Sequence, residues 1–105
     1  MTYFEKVAEF SVLVQAEFTA RLVMEFSYPG VEAGGNVTVI HGTKYTRVDV
    51  GSSGKYMVDA AGNIFGIKAY GVINRRRQYG TLDTTAEWYW GGYAPVKRVS
   101  PGRLT

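Results

Sequence analysis

Tyr3-Phe4-Glu5-Lys6-Val7-Ala8-Glu9-Phe10-Ser11-Val12-Leu13-Val14-Gln15-Ala16-Glu17-Phe18-Thr19-Ala20-Arg21-Leu22-Val23-Met24-Glu25-Phe26 is the stretch on which the fold turns. It holds no Gly or Pro and ends sharply at Tyr28-Pro29-Gly30. Thr2 with Glu5 three residues on fits a capping box. Glu17–Arg21 and Arg21–Glu25 are opposite charges at the i, i+4 spacing that supports a helix. The contrary sign is strand periodicity: every even position from Phe10 to Phe26 is apolar, and Ser11, Gln15, Glu17, Thr19, Arg21 and Glu25 fill most odd ones. Length decides between them. About 17 residues alternate, whereas strands usually run ~3–10 residues. The stretch reads as a helix over 3–26. Its apolar positions wrap nearly all the way round, so it must be buried on more than one side or shared with a partner.

Beyond Gly34-Gly35 the texture becomes β-branched and aromatic, punctuated by glycine. Val37-Thr38-Val39-Ile40 reads as a first strand. In Lys44 to Val50, Thr46, Val48 and Val50 face one side, and Tyr45, Arg47 and Asp49 the other. Gly51-Ser52-Ser53-Gly54 turns the chain into Lys55 to Asp59, and Ala60-Ala61-Gly62-Asn63 turns it into Ile64 to Tyr70. No link reaches the dozen or so residues that a parallel crossover needs, so residues 37–70 form an antiparallel meander. The fold class is α+β: one N-terminal helix on a small antiparallel sheet of four to five strands.

From Gly71 the pattern lapses. Asn74, Arg75-Arg76-Arg77, Gln78, Gly80 and Asp83 read as a polar, arginine-containing loop over 71–87. Thr84 or Thr85 caps a short turn through Trp88, an edge strand runs within 93–99, and 100–105 is a frayed tail.

The chain has 105 residues and no cysteine, enough for one small domain without disulfides. Its net charge of +3 is unevenly placed. Residues 1–36 hold two cations against five acids, a balance of −3, and residues 37–105 hold ten against four, a balance of +6. Six of the eight tyrosines lie in the basic part. The longest apolar runs, Val12-Leu13-Val14 and Leu22-Val23-Met24, fall far short of the ~20 residues of a membrane span. Neither a membrane segment nor a secretion signal is expected.

Catalytic chemistry finds little support. His41 is the sole histidine, which rules out a two-histidine metal centre and leaves no relay for a serine nucleophile. Next to Gly42 it reads as a turn residue. Asp49, Asp59, Asp83 and Glu87 sit on different elements and read as solvated strand or turn residues. Gly51-Ser52-Ser53-Gly54-Lys55 fails the phosphate-loop pattern, with Asp49 where the first glycine belongs and Tyr56 after the lysine. No cofactor, no metal and no enzymatic reaction are expected.

Arg75-Arg76-Arg77 is the sharpest feature. Three adjacent guanidiniums repel one another, and their planar forks suit phosphate oxygens. Tyr70 and Tyr79 bracket them, Trp88, Tyr89, Trp90 and Tyr93 follow, and Lys97 and Arg98 extend the basic series. Aromatic faces among cations are what single-stranded nucleic-acid surfaces use. The candidate binding residues are therefore Arg47, Lys55, Lys68, Arg75, Arg76, Arg77, Tyr79, Trp90, Tyr93, Lys97 and Arg98. A solvated, solubilising loop explains the arginines almost as well. One of Trp88 and Trp90 is expected to lie under the helix, because burying an indole is among the largest stabilising terms open to so small a domain.

The order of helix, Tyr28-Pro29-Gly30, Gly42-Thr43-Lys44-Tyr45-Thr46-Arg47-Val48, Tyr56-Met57-Val58-Asp59 with Gly62, and Ile67-Lys68-Ala69 resembles small uncharacterised proteins of tailed bacteriophages, over about the first two-thirds of the chain. That resemblance implies a phage or prophage source and a host-cytoplasmic setting, and no catalytic residues. Two readings follow: a nucleic-acid-binding module, single-stranded or RNA, and a protein-interaction module. The second would be an inhibitor of a host factor or a self-associating virion component, resting on the all-round apolar helix and the edge strand.

Overall fold

A computed structural model describes residues 1–26, 28–51, 53–92 and 94–98. Helix α1 spans Tyr3–Glu25 and opens with the expected capping box. The Glu5 N–H donates to Thr2 Oγ1 (3.2 Å), and the Thr2 N–H donates to Glu5 Oε1 (3.1 Å). The hydrogen bond from the Thr2 backbone N–H, and after it the Thr2 side chain, favours the ionised form and holds the Glu5 carboxyl below its usual 4.5. The box therefore stabilises the fold fully above that usual value, and its contribution is lost as the pH falls through the lowered one. A Glu5→Gln variant is expected to show a shallower loss of stability on acidification, read from thermal melts across the acid range.

The strand-like alternation of α1 resolves into two interleaved ridges. Positions two apart on a helix lie about 200° apart, so every second residue changes side. Phe10 and Val14 are buried and Phe18 and Leu22 half-buried, whereas Val12, Ala16, Ala20 and Met24 are exposed. The inward ridge, with Val7, packs on the sheet. Burial is confined to that side, so the apolar residues opposite face solvent.

Five strands follow in an antiparallel meander whose spatial order matches the chain order: β1 Val37–His41, β2 Tyr45–Val50, β3 Ser53–Asp59, β4 Asn63–Ala69 and β5 Val72–Thr81. The expected facing of β2 holds for its inner side, where Thr46, Val48 and Val50 are buried. Asp49 departs from expectation: it is buried too, and accepts a hydrogen bond from the Tyr70 hydroxyl (3.0 Å) beside a β-bulge. Ser53 and Gly54 belong to β3 rather than to the turn before it. Asp59 closes the next turn by accepting from the N–H groups of Ala61 (3.0 Å) and Asn63 (2.8 Å).

The main correction concerns the expected arginine loop, because most of it is β5. Tyr70-Gly71 is a tight turn, and the chain returns beside β4 at once. β5 is the sheet's last strand, and an edge tolerates charged residues that a central strand would not.

A two-stranded ribbon, β6 (Trp88–Tyr89) and β7 (Val96–Lys97), closes the core. The short turn before it forms as a 3-10 helix over Thr85–Glu87. Val99 and the tail at 100–105 lie outside the described residues. Trp90 is completely buried, its ring 4.7 Å from Phe10 and 5.4 Å from Tyr56, both edge-on. Its indole N–H donates to the Thr85 carbonyl (2.9 Å), and its backbone N–H to Glu17 Oε1 (2.8 Å). The expectation of one indole under the helix holds. No helix among the described residues is long and apolar enough to cross a membrane.

Candidate nucleic-acid interface

The three arginines sit on an interruption of the β4–β5 ladder. Phe65 stands opposite Gln78, but the next residue, Gly66, stands opposite Asn74. Arg75, Arg76 and Arg77 thus fall between paired positions, a bulge that bends the strand and re-aims its side chains. Asn74 shapes it, its Oδ1 accepting the Arg76 N–H (3.1 Å). All three arginines are exposed.

Arg75 turns back across the sheet face that α1 leaves uncovered. Its guanidinium lies 5.5 Å over the Tyr45 ring and 5.6 Å over Phe65, and donates a hydrogen bond to the Tyr45 hydroxyl. On the same face Arg47 lies 4.9 Å over Tyr70, whose hydroxyl donates to Asp49. Met57 and Phe65 are buried although they stand outside the cluster that packs on α1. The sheet's second face is therefore covered by a layer of alternating guanidiniums and tyrosine rings. Arginine stacks well on aromatic faces because its delocalised charge is weakly hydrated. Tyr70 remains 56% exposed.

Arg77 points to a second place. With Lys55, Tyr79, Phe18 and Asn74 it lines a cleft of about 670 Å³ between α1 and β3–β5. The Tyr79 ring lies over Gly66, where an added Cβ would come within 3.2 Å of it and would push the ring back by a few tenths of an ångström. Burial, reinforced by the positive charge of Arg21, holds Lys55 below the usual lysine range. No carboxylate lines the cleft among the described residues.

The other candidates are dispersed. Lys68 is exposed at the end of β4, and Arg76 is exposed in the bulge. Lys97 lies 3.8 Å from Glu87, and Arg98 is paired with Glu17, so both are neutralised on the ribbon. Trp90 is a correction: a fully buried indole offers no face for a base to stack on. Tyr93 lies outside the described residues. Tyr45 and Tyr70 belong to the arginine layer but were absent from the candidate set. The alternation that put Tyr45 on the same side as Arg47 was the available signal for the first of them. His41 ends β1 with Nδ1 3.2 Å from Thr46 Oγ1 and its ring against Phe4. Among the described residues no three metal-ligating side chains come together.

Charge distribution separates the two halves. The four ion pairs among the described residues are Lys6–Asp83, Arg21–Glu25, Lys97–Glu87 and Arg98–Glu17, all on the helix or beyond β5. Lys44, Arg47, Lys68, Arg75, Arg76 and Arg77 take part in none of them. The two acids in this region are turned to backbone, side-chain amide and hydroxyl donors instead, Asp49 to Tyr70 and Asp59 to its turn. Comparison with protein-family models, with curated proteins and with solved structures finds no match to this chain.

Proposed function

We propose that the chain is a non-enzymatic, phage-type accessory protein of the host cytoplasm that binds single-stranded nucleic acid, DNA or RNA, through the basic sheet and its arginine bulge. The observation that carries this reading is that Arg47, Lys68, Arg75, Arg76 and Arg77 on the sheet, and Lys44 just before it, make no ion pair among the described residues, with Arg47 and Arg75 lying over the rings of Tyr70 and Tyr45. Uncompensated cations, here gathered on β2, β4 and β5 and just before β2, raise the local concentration of a polyanion. Exposed rings supply stacking worth about 1–3 kcal/mol per base without demanding a sequence. Fluorescence anisotropy with an oligothymidylate and an oligouridylate, at about 50 and 200 mM salt, tests it. Binding that weakens steeply with salt is expected. No binding at the lower salt, or binding indifferent to salt, overturns it.

A second reading rests on the outward ridge of α1, where Phe4 (63% exposed), Val12 (68%) and Met24 (85%) share one i+4 line with Ala8, Ala16 and Ala20. An apolar ridge of this kind is what helix–helix association uses. It favours a protein-interaction role, with a second copy or a host protein as partner. Light scattering that finds a monodisperse monomer, together with failure to retain any partner, counts against it.

A further inference from the structure

We propose that the free edge of β1 and the face of α1 beside it form one self-complementary surface, on which a second copy of this chain docks about a twofold axis at Val39. The inference rests on the protein-interaction reading above and commits it to one partner. The sheet would run on from β1 into the β1 of the second copy, with the two helices antiparallel on the same side.

The two edges of the sheet differ. β5 carries three arginines and an interrupted ladder, both of which discourage the addition of a strand. β1 holds no proline and no Asp, Glu, Lys or Arg, and its register with β2 is unbroken. The phase of its ladder is fixed at both ends. The Gly42 N–H donates to the Tyr45 carbonyl (2.9 Å) and the Gly51 N–H to the Asn36 carbonyl (2.7 Å). Antiparallel bonding alternates along a strand, so Thr38 and Ile40 bond to β2 while Val37, Val39 and His41 aim their backbone groups out of the sheet. The Val37 N–H bears out this phase by donating outward to Gln15 Oε1 (3.1 Å). Val39 and His41 meet no further strand among the described residues.

Such a row is its own complement. With Val39 opposite Val39 of the second copy, each donates to the other's carbonyl, and each His41 N–H donates to the Val37 carbonyl across the axis. Gln15 must release Val37 for the last pair to close. A pairing of this kind uses the same patch on both chains and closes as a dimer.

The helix suits the same axis. Phe4 stands against His41, ring centroids 4.8 Å apart, and Gln15 holds Val37, so α1 runs alongside the edge with Ala8 and Ser11 near the level of Val39. Next to them lies a groove of about 480 Å³, lined by Ser11, Val12, Gln15, Ala16, Thr19 and Ala20. Mostly small side chains here admit a second helix to the ~8–10 Å of ordinary helix packing. That approach covers Phe4 and Val12, both largely exposed in the single chain. The arginine layer lies on the opposite face of the sheet and stays open.

The test is sedimentation equilibrium of the whole chain from micromolar to millimolar concentration, beside hydrogen exchange of its backbone amides. A reversible dimer is expected, with the Val39 and His41 amides becoming protected as it fills. Ala8→Glu puts a carboxylate near the axis in each copy and should weaken the dimer about a hundredfold or more. Residue 8 is exposed in the single chain, so the variant should still fold. Met24→Glu, at the far end of the helix, should leave the dimer intact. A monomer throughout overturns the inference, and the protein-interaction reading falls with it only if that monomer also retains no partner. A dimer that survives Ala8→Glu, that Met24→Glu undoes, or whose Val39 and His41 amides exchange freely overturns the location. Assembly beyond two chains overturns the closed twofold.

Discussion

Replacing Trp90 with alanine is expected to lower the stability of the domain by about 3–5 kcal/mol. Trp90 is wholly buried, meets Phe10 and Tyr56 edge-on, and donates hydrogen bonds from both its indole and its backbone. Truncation removes the ring contacts and leaves a cavity that the helix and sheet, fixed at both sides, cannot fill by collapse. It also strips the Thr85 carbonyl of its donor. Domains of this size carry ~5–15 kcal/mol in total, and each kcal/mol moves the melting temperature by about 4–8 °C. The variant should be largely unfolded under conditions where the parent is folded, by thermal and urea titration of its circular dichroism. Trp88→Ala, at a half-buried position, should lose clearly less. Equal losses would mean that the core is not centred on Trp90.

Neutralising the bulge has the largest expected effect on binding. Arg76 and Arg77 are exposed and make no ion pair among the described residues. The double variant Arg76→Gln/Arg77→Gln should therefore fold with stability within about 0.5 kcal/mol of the parent. If each contacts one phosphate of a single strand, the slope of log affinity against log salt becomes shallower by about 1.4, and affinity at low salt falls tenfold or more. Lys97→Gln is the matched control, because Lys97 already faces Glu87 on the ribbon. An equal loss in both would identify a diffuse charge effect rather than a surface centred on the bulge.

Much of the architecture was legible from local patterns. The capping box, the absence of Gly and Pro over 3–26 and the short glycine-marked links lead directly to the helix and the meander. The alternation from Phe10 to Phe26 misleads only when read one residue at a time. On a helix it encodes two opposite i+4 ridges, one for the core and one for solvent, which no window of strand length reveals. β5 was illegible for a different reason. Its charges are tolerated by an edge position and a bulge, and both are properties of the assembled sheet rather than of the segment. The candidate site fared similarly. Charge and aromatic content pointed to the right half of the chain, but which rings face outward depends on packing. Trp90 was drawn inward by the core, Lys97 and Arg98 were neutralised by Glu87 and Glu17 from elsewhere in the sequence, and Tyr45 and Tyr70 were drawn into the arginine layer.

The central claim is that the basic sheet and its bulge form the ligand-binding surface. It is tested most directly by mapping backbone amide chemical shifts while a single-stranded oligonucleotide is added to the isotope-labelled chain at low salt. The account predicts shifts concentrated at Arg47, Lys55, Gly66 and Asn74 to Tyr79, reversed by added salt, with the outward ridge of α1 silent. No shift, or shifts confined to Val12, Ala16, Ala20 and Met24, would contradict it.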